Sequence, residues 1–184
     1  MGDPERARLP AAVSAQPEIS AAVYEVLHNL AHRQLRRSSG ATLNTTALVH
    51  EAWMKLARGA GDGFESRGHF VAVAALAMRQ VIVDCARRRR AQRRGGGVEP
   101  VTASGLSRVG SDADVEQLLA IDAALDKLAA LDERLAKVVE FRVFAGLEEE
   151  EVAEVLGVHV RTVRRDWRKA RAFLLSEIAD GSSE

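Results

Sequence analysis

Apolar residues recur along this chain at three- and four-residue intervals, with no β-branched alternating run, so the pattern predicts helices throughout. The sharpest period lies near the C-terminus, from His159 to Leu175, reading HVRTVRRDWRKARAFLL. At about 100° per residue, Val163, Trp167, Ala170 and Leu174 share one narrow stripe, while Arg161, Arg164, Arg165 and Arg168 fall on the opposite side. Just upstream, Glu148 to Leu156 predicts a short helix with Val152, Val155 and Leu156 on its apolar side. Gly157 follows it and tolerates the positive φ of a helix end. Helix, glycine turn and second helix form a helix-turn-helix pattern, whose second helix enters the DNA major groove with its first residues on base edges. Arginine suits that place because its planar fork pairs with guanine or grips phosphate.

Three more helices are expected in the N-terminal half, after a stretch without period (residues 1–17, with Pro4, Pro10 and Pro17) that is expected to fray. Val23, Val26, Leu27, Leu30 and Leu35 mark the first, from Ile19 to Arg37, closed by Gly40. The second runs from Thr45 to Arg58, with Leu48, Ala52 and Leu56 as its buried row and Asn44, Thr45 or Thr46 as its N-cap. Glycines from Gly59 to Gly63 interrupt it. The third starts after Ser66, carries Phe70, Val73, Ala74, Ala77, Val81 and Cys85 at helical spacing, and runs into RRRRAQRR, Arg87 to Arg94. Residues 95–114 are rich in glycine and serine and read as a flexible linker. Beyond it, Leu118, Ile121, Leu125 and Leu128 mark one helix. Asp132 then caps another, holding Leu135, Val138, Val139, Phe141 and Val143 and ending at Gly146. The expectation is all-α: two small helical domains, 18–94 and 115–180, with the helix-turn-helix in the second.

Composition changes this picture in one respect. The 184 residues are 47% apolar, 28% charged and 4% aromatic, as suits a globular helical protein, and the formal net charge is zero. That zero hides opposed patches. Glu116 to Glu154 holds eleven acids against four bases, a net of −7; Arg161 to Arg171 holds six bases against one acid, +5; Arg79 to Arg94 holds seven arginines against Asp84, +6. Such patches attract within a Debye length of about 8–10 Å, so the two halves are expected to close on each other in the free chain.

Little else promises chemistry. Cys85 is the one cysteine and reads as packing, and no secretory leader or long apolar run appears, so the cytoplasm is the expected compartment. His28 and His32 stand four apart without a third metal ligand, and His50-Glu51 lacks the histidine that a zinc-protease helix needs. With no phosphate loop, nucleophile elbow or catalytic carboxylate pair, neither an enzyme nor a cofactor, metal, membrane or small-molecule substrate is expected.

Three segments, in order, resemble the extracytoplasmic-function (ECF) group of bacterial sigma factors in the sigma-70 family: LVHEAWMKLAR from Leu48, RGHFVAVAALAMRQVIVDCARRRR from Arg67, and FAGLEEEEVAEVLGVHVRTVRRDWRKAR from Phe144. The resemblance implies a protein that binds core RNA polymerase and brings it to promoter DNA. It places polymerase contacts on Leu48, His50, Glu51, Met54 and Lys55. It places minus-ten contacts on Phe64, His69, Arg79, Gln80, Asp84, Arg87 and Arg88; Phe70 lies near enough to stack, but its place on the apolar period favours the core. Upstream-element contacts fall on His159, Arg161, Thr162, Arg164 and Arg165, with Arg168 on phosphate. A stand-alone helix-turn-helix regulator is the rival reading, but it leaves the long basic helix unexplained.

One place departs from the family. An acidic cluster usually precedes the LVxE-type helix, and here those positions read Asn44, Thr45, Thr46 and Ala47. The plain expectation is that a threonine caps the helix and docking rests on Glu51. The sharper one is that phosphorylating Thr45 or Thr46 adds about −1.5 to −2 charge at a helix N-terminus and restores the patch. The controller would be a Ser/Thr kinase or an anti-sigma factor.

Overall fold

Several helix boundaries among the described residues can be traced to a cap or a glycine. The computed structural model describes residues 21–37, 44–59, 64–93 and 111–181, and the regular elements among them are all helical. They are α1 (Ala21–Arg37), α2 (Thr45–Gly59), α3 (Arg67–Arg93), α4 (Asp112–Leu131), α5 (Glu133–Val139), a π-helical segment (Glu140–Ala145), α6 (Glu149–Leu156) and α7 (Val160–Gly181). The all-α expectation is met. Residues 1–20, 38–43, 60–63, 94–110 and 182–184, which carry Gly40, most of the glycine breaker and nearly all of the expected linker, lie outside the described residues.

Asn44 begins α2: its Oδ1 accepts the Thr46 N–H at 3.0 Å, so neither threonine serves as the cap. Ser66 Oγ accepts from the His69 amide at 3.1 Å and opens α3. Ser111 and Asp114 form a reciprocal capping box for α4, which therefore starts at Asp112, ahead of the expected Val115. Asp132 caps α5 through the amides of Arg134 and Leu135. Gly146 at φ 70° and Gly157 at φ 63° supply the left-handed residues that end the π segment and α6. The π segment itself was not foreseen; its apolar residues fit an ordinary helical period.

The centre of the fold is α3. By length and composition it could cross a membrane, yet its apolar residues are core residues: Phe70, Ala74, Ala75, Met78, Val81 and Ile82 are all buried. It packs against α1 and α2, and also against α4, α6 and the π segment. One buried cluster therefore runs without a break from Leu27, Leu48 and Leu56 through α3 to Val115, Val138, Phe141, Val152 and Val163. A second, smaller cluster of Leu125, Leu128, Ala136, Val139 and Ala170 joins α4, α5 and α7. The halves pack on each other through this continuous core, while the arginine row of α7 stays exposed.

Candidate nucleic-acid interface

The arginine row forms because α7 is anchored from one side only. Val163 and Ala170 are fully buried and Trp167 and Leu174 half-buried, which leaves Arg161, Arg164, Arg165 and Arg168 exposed on the other side. His159 stands just before α7 and acts as its cap: its Nδ1 accepts the Arg161 N–H at 3.0 Å and its carbonyl accepts from Thr162 at 2.8 Å. The three-residue turn between α6 and α7 thus presents His159 and Arg161 together at the helix start, with Thr162 half-buried behind them.

Part of the row is already engaged. Arg164 Nε donates to Glu149 of α6, which also pairs with Arg142 at 3.3 Å. The Arg164 hydrogen bond holds the Glu149 carboxyl below the usual carboxylate range. Arg142 in turn lies over the Trp167 ring, 4.6 Å from its centroid. Arg165 leans on Asp166 at 3.4 Å, and Asp166, only 1% exposed, takes a 2.7 Å bond from Arg134. Among the described residues no ion pair involves Arg161 or Arg168.

On α3 the predicted DNA residues have mixed fates. Gln80 and Arg88 are exposed, the latter bonded back to the Asp84 carbonyl. Asp84 is paired with Lys55 of α2 at 3.1 Å. Arg79 is only 14% exposed, gripped by Asp122 and by Glu140 at 2.9 Å, with the Phe144 ring 5.4 Å beneath it. Arg87 meets Asp122 at 2.8 Å. Burial pushes the Glu140 carboxyl up, against the pull of Arg79. So Arg79 and Arg87, expected to face DNA, face α4 and the π segment here.

Phe70 is core as its helical period predicts: at 2% exposure it offers no face to a base. Phe64 packs edge-on against it at 4.9 Å and against His69 at 6.0 Å. Both Phe64 and His69 are half-buried, and His69 Nδ1 accepts the Glu65 amide at 3.3 Å. Leu48 is a correction, being fully buried; it positions α2 but cannot touch a partner. The outer face of α2 carries His50 and Met54, exposed, with Glu51 and Lys55 half-exposed. Thr46 is exposed and Thr45 half-buried, and no acid occupies the first turn.

Sequence reasoning missed the buried acids. Asp122 sits three and seven residues beyond Leu119 and Val115, and Asp166 three beyond Val163, all buried positions, so an acid on the apolar period was the available sign. It also missed Arg33, whose Nη1 donates to the carbonyls of Ala145 and Gly146 at 3.3 Å each. Among the described residues no group of three His, Cys, Asp or Glu could hold a metal; His28 faces the Tyr24 ring at 5.9 Å. Cys85 is half-buried, and that burial raises its thiol pKa.

Comparison with known proteins gives one result. A family model described as ECF sigma factor matches residues 12–180. No curated protein and no solved structure matches the chain.

Proposed function

The chain belongs to the ECF sigma factor family, whose members act in transcription initiation, and from that premise we propose that it binds core RNA polymerase and directs it to promoters. The polymerase supplies the catalysis. The observation that carries this reading is the exposed row of Arg161, Arg164, Arg165 and Arg168, backed by buried Val163 and Ala170 and led by the His159 turn. In this reading His159, Arg161, Thr162, Arg164 and Arg165 reach base edges of the upstream element and Arg168 takes phosphate. Arg164 exchanges its Glu149 partner for DNA.

The same reading gives α3 the minus-ten region, through Gln80, Asp84, Arg87 and Arg88, with Phe64 and His69 beside them. It gives the outer face of α2, His50, Glu51, Met54 and Lys55, to the polymerase. Residues 18–94 and 115–180 work as separate units on the promoter, with 95–114 as their tether. Run-off transcription by core polymerase plus this protein tests it: new start sites are expected, and none on any template sinks the proposal. A stand-alone regulator would instead protect promoter DNA without polymerase, which footprinting separates.

One observation favours gating by a kinase. Because Asn44 caps α2, the hydroxyls of Thr45 and Thr46 are not needed for that task, and Thr46 is exposed at a helix start that lacks acids. A phosphate there would sit where anions are favoured and would supply the missing negative patch.

A further inference from the structure

Two adjoining cavities lie between α1, the first turns of α3 and the end of the π segment. The larger, about 770 Å³, has Val26, Leu30 and Val71 in its apolar lining and Arg33, Arg36 and Arg67 as its cations. The smaller, about 300 Å³, shares Arg33, Arg67 and Val71 with it and runs on to Glu151 and Glu154 of α6. Gly68 keeps α6 close at this point, since a Cβ there would lie 3.1 Å from Val155 Cγ2. All three arginines are exposed, and so is His32 beside them. At the other end of α3, Arg79, Arg87, Arg89, Arg90 and Arg93 each meet a carboxylate. Around the cavity the pattern is different: among the described residues no ion pair involves Arg33, Arg36 or Arg67. Arg33 Nη1 donates to the Ala145 and Gly146 carbonyls, which fixes its direction without neutralising it. Arg33 and Arg36 stand three apart on one helix, so their like charges repel. Folding thus gathers uncompensated positive charge around a cavity that has an apolar lining.

We propose that this cavity binds a small phosphate ester of the size and charge of a nucleoside diphosphate. Its phosphates rest on Arg33, Arg36 and Arg67, and its carbon framework lies against Val26 and Val71. Guanidinium groups pair with phosphate through two parallel hydrogen bonds, which an isolated point charge cannot do. The start of α3 adds to the attraction, because the N-terminal end of a helix favours an anion. Volume sets the size of the ligand: sites for small organic ligands span about 300–1,000 Å³, and an inorganic phosphate alone would leave most of this cavity empty. Charge sets its shape. A nucleic-acid strand following the same cations into the smaller cavity would meet Glu151 and Glu154, whose like charge opposes it. A compact anion stops short of them. The phosphate loop that often holds such ligands is absent from the sequence; here the cations come from α1 and α3 and meet only on folding. The site stands apart from the sigma-factor reading and adds a ligand to the chain whether or not that reading holds.

The test uses the full chain and titration calorimetry with ADP, inorganic pyrophosphate and adenosine at millimolar concentration. ADP should bind at a single site and raise the melting temperature, as any ligand of the folded state does. Pyrophosphate should compete with it, and adenosine should not bind. Arg36→Gln with Arg67→Gln removes two of the cations; both side chains are exposed, so folding does not depend on them. Arg58→Gln with Arg171→Gln removes the same charge from exposed positions that line neither cavity, and serves as the control. The first variant should lose at least about tenfold in ADP affinity with unchanged helix content by circular dichroism, because two charge-assisted hydrogen-bonding groups are gone. The control should bind like the wild type. No saturable binding of ADP overturns the proposal, and so does equal affinity in variant and control. Adenosine binding as well as ADP would overturn it too, since the phosphates would then contribute nothing. A short single-stranded oligonucleotide that displaces ADP and binds more tightly would assign the cations to a nucleic-acid backbone and overturn the small-ligand reading.

Discussion

Lys55 Nζ lies 3.1 Å from Asp84 Oδ2, and this one pair ties the face of α2 read as docking polymerase to the face of α3 read as meeting the promoter. With 31% and 40% of the two side chains exposed, the pair adds little to stability, about 0–1 kcal/mol. Its consequence is positional. Lys55→Met and Asp84→Asn should each leave urea denaturation nearly unchanged but lower run-off transcription. The double variant should be no worse than the poorer single one, because both break the same link. Additive losses in transcription would show that the residues act apart.

Asp166 makes a firmer prediction for the fold. It is a residue of α7 itself, 1% exposed, bonded by Arg134 of α5 and touched by Arg165. Asp166→Ala removes the buried acceptor and leaves a cavity beside Val163 and Ala170, so Tm should fall by roughly 5–10 °C. Asp166→Asn keeps the shape and should lose less. A thermal melt that barely moves for either would mean the acid is not structural.

Gly146 and Gly157 should respond unequally to alanine. Both hold left-handed φ, which costs a non-glycine residue about 1 kcal/mol. At Gly157 a Cβ would meet nothing within 4 Å, so that strain is the whole effect. At Gly146 it would lie 1.6 Å from Arg33 Nη1, evicting the guanidinium from its two carbonyls. Gly146→Ala should therefore cost more in urea denaturation, and an Arg33→Ala background should bring the two substitutions level.

Two carboxyls should give the pH dependence of stability opposite slopes. The folded pKa of Glu149 is lowered by its bond to Arg164, so its contribution is present above the ordinary 4.5 and lost as pH falls through the lowered value. The folded pKa of Glu140 is raised by burial, so its contribution is full below 4.5 and fades as pH rises through the raised value. Denaturation midpoints between pH 3 and 7, compared with Glu140→Gln, should show the wild-type advantage shrinking as pH rises. A constant difference across that range would contradict the burial argument.

Thr46→Glu should raise the affinity of the chain for core polymerase by direct binding assay, while Thr46→Ala should not. Neither change removes the helix cap, since that is Asn44. Equal affinities for all three forms would remove the gating proposal.

The helices and their caps were readable in the sequence wherever an apolar period met a polar boundary: Val163 and Ala170 are buried and the arginines between them exposed, as spacing alone demands. What spacing could not supply was the partner of each charge. Arg79 reads equally well as a DNA contact and as an internal one. The choice is made by Asp122 and Glu140, 43 and 61 residues away, whose contact depends on how the halves close. For the same reason Asp122 and Asp166 were counted as part of the charge balance, although each stands on an apolar period. Phe70 shows the converse, where the apolar period alone placed the ring in the core and the buried face of α3 holds it there.

The π-helical turn from Glu140 to Ala145 acts as a phase setter. A π turn winds more residues into each revolution than its α counterpart, so Gly146, α6 and α7 leave it on a bearing that a regular helix would not give. Deleting one residue there would rotate the downstream exit by about 100° and swing the guanidinium row off its heading, although no residue of that row had changed.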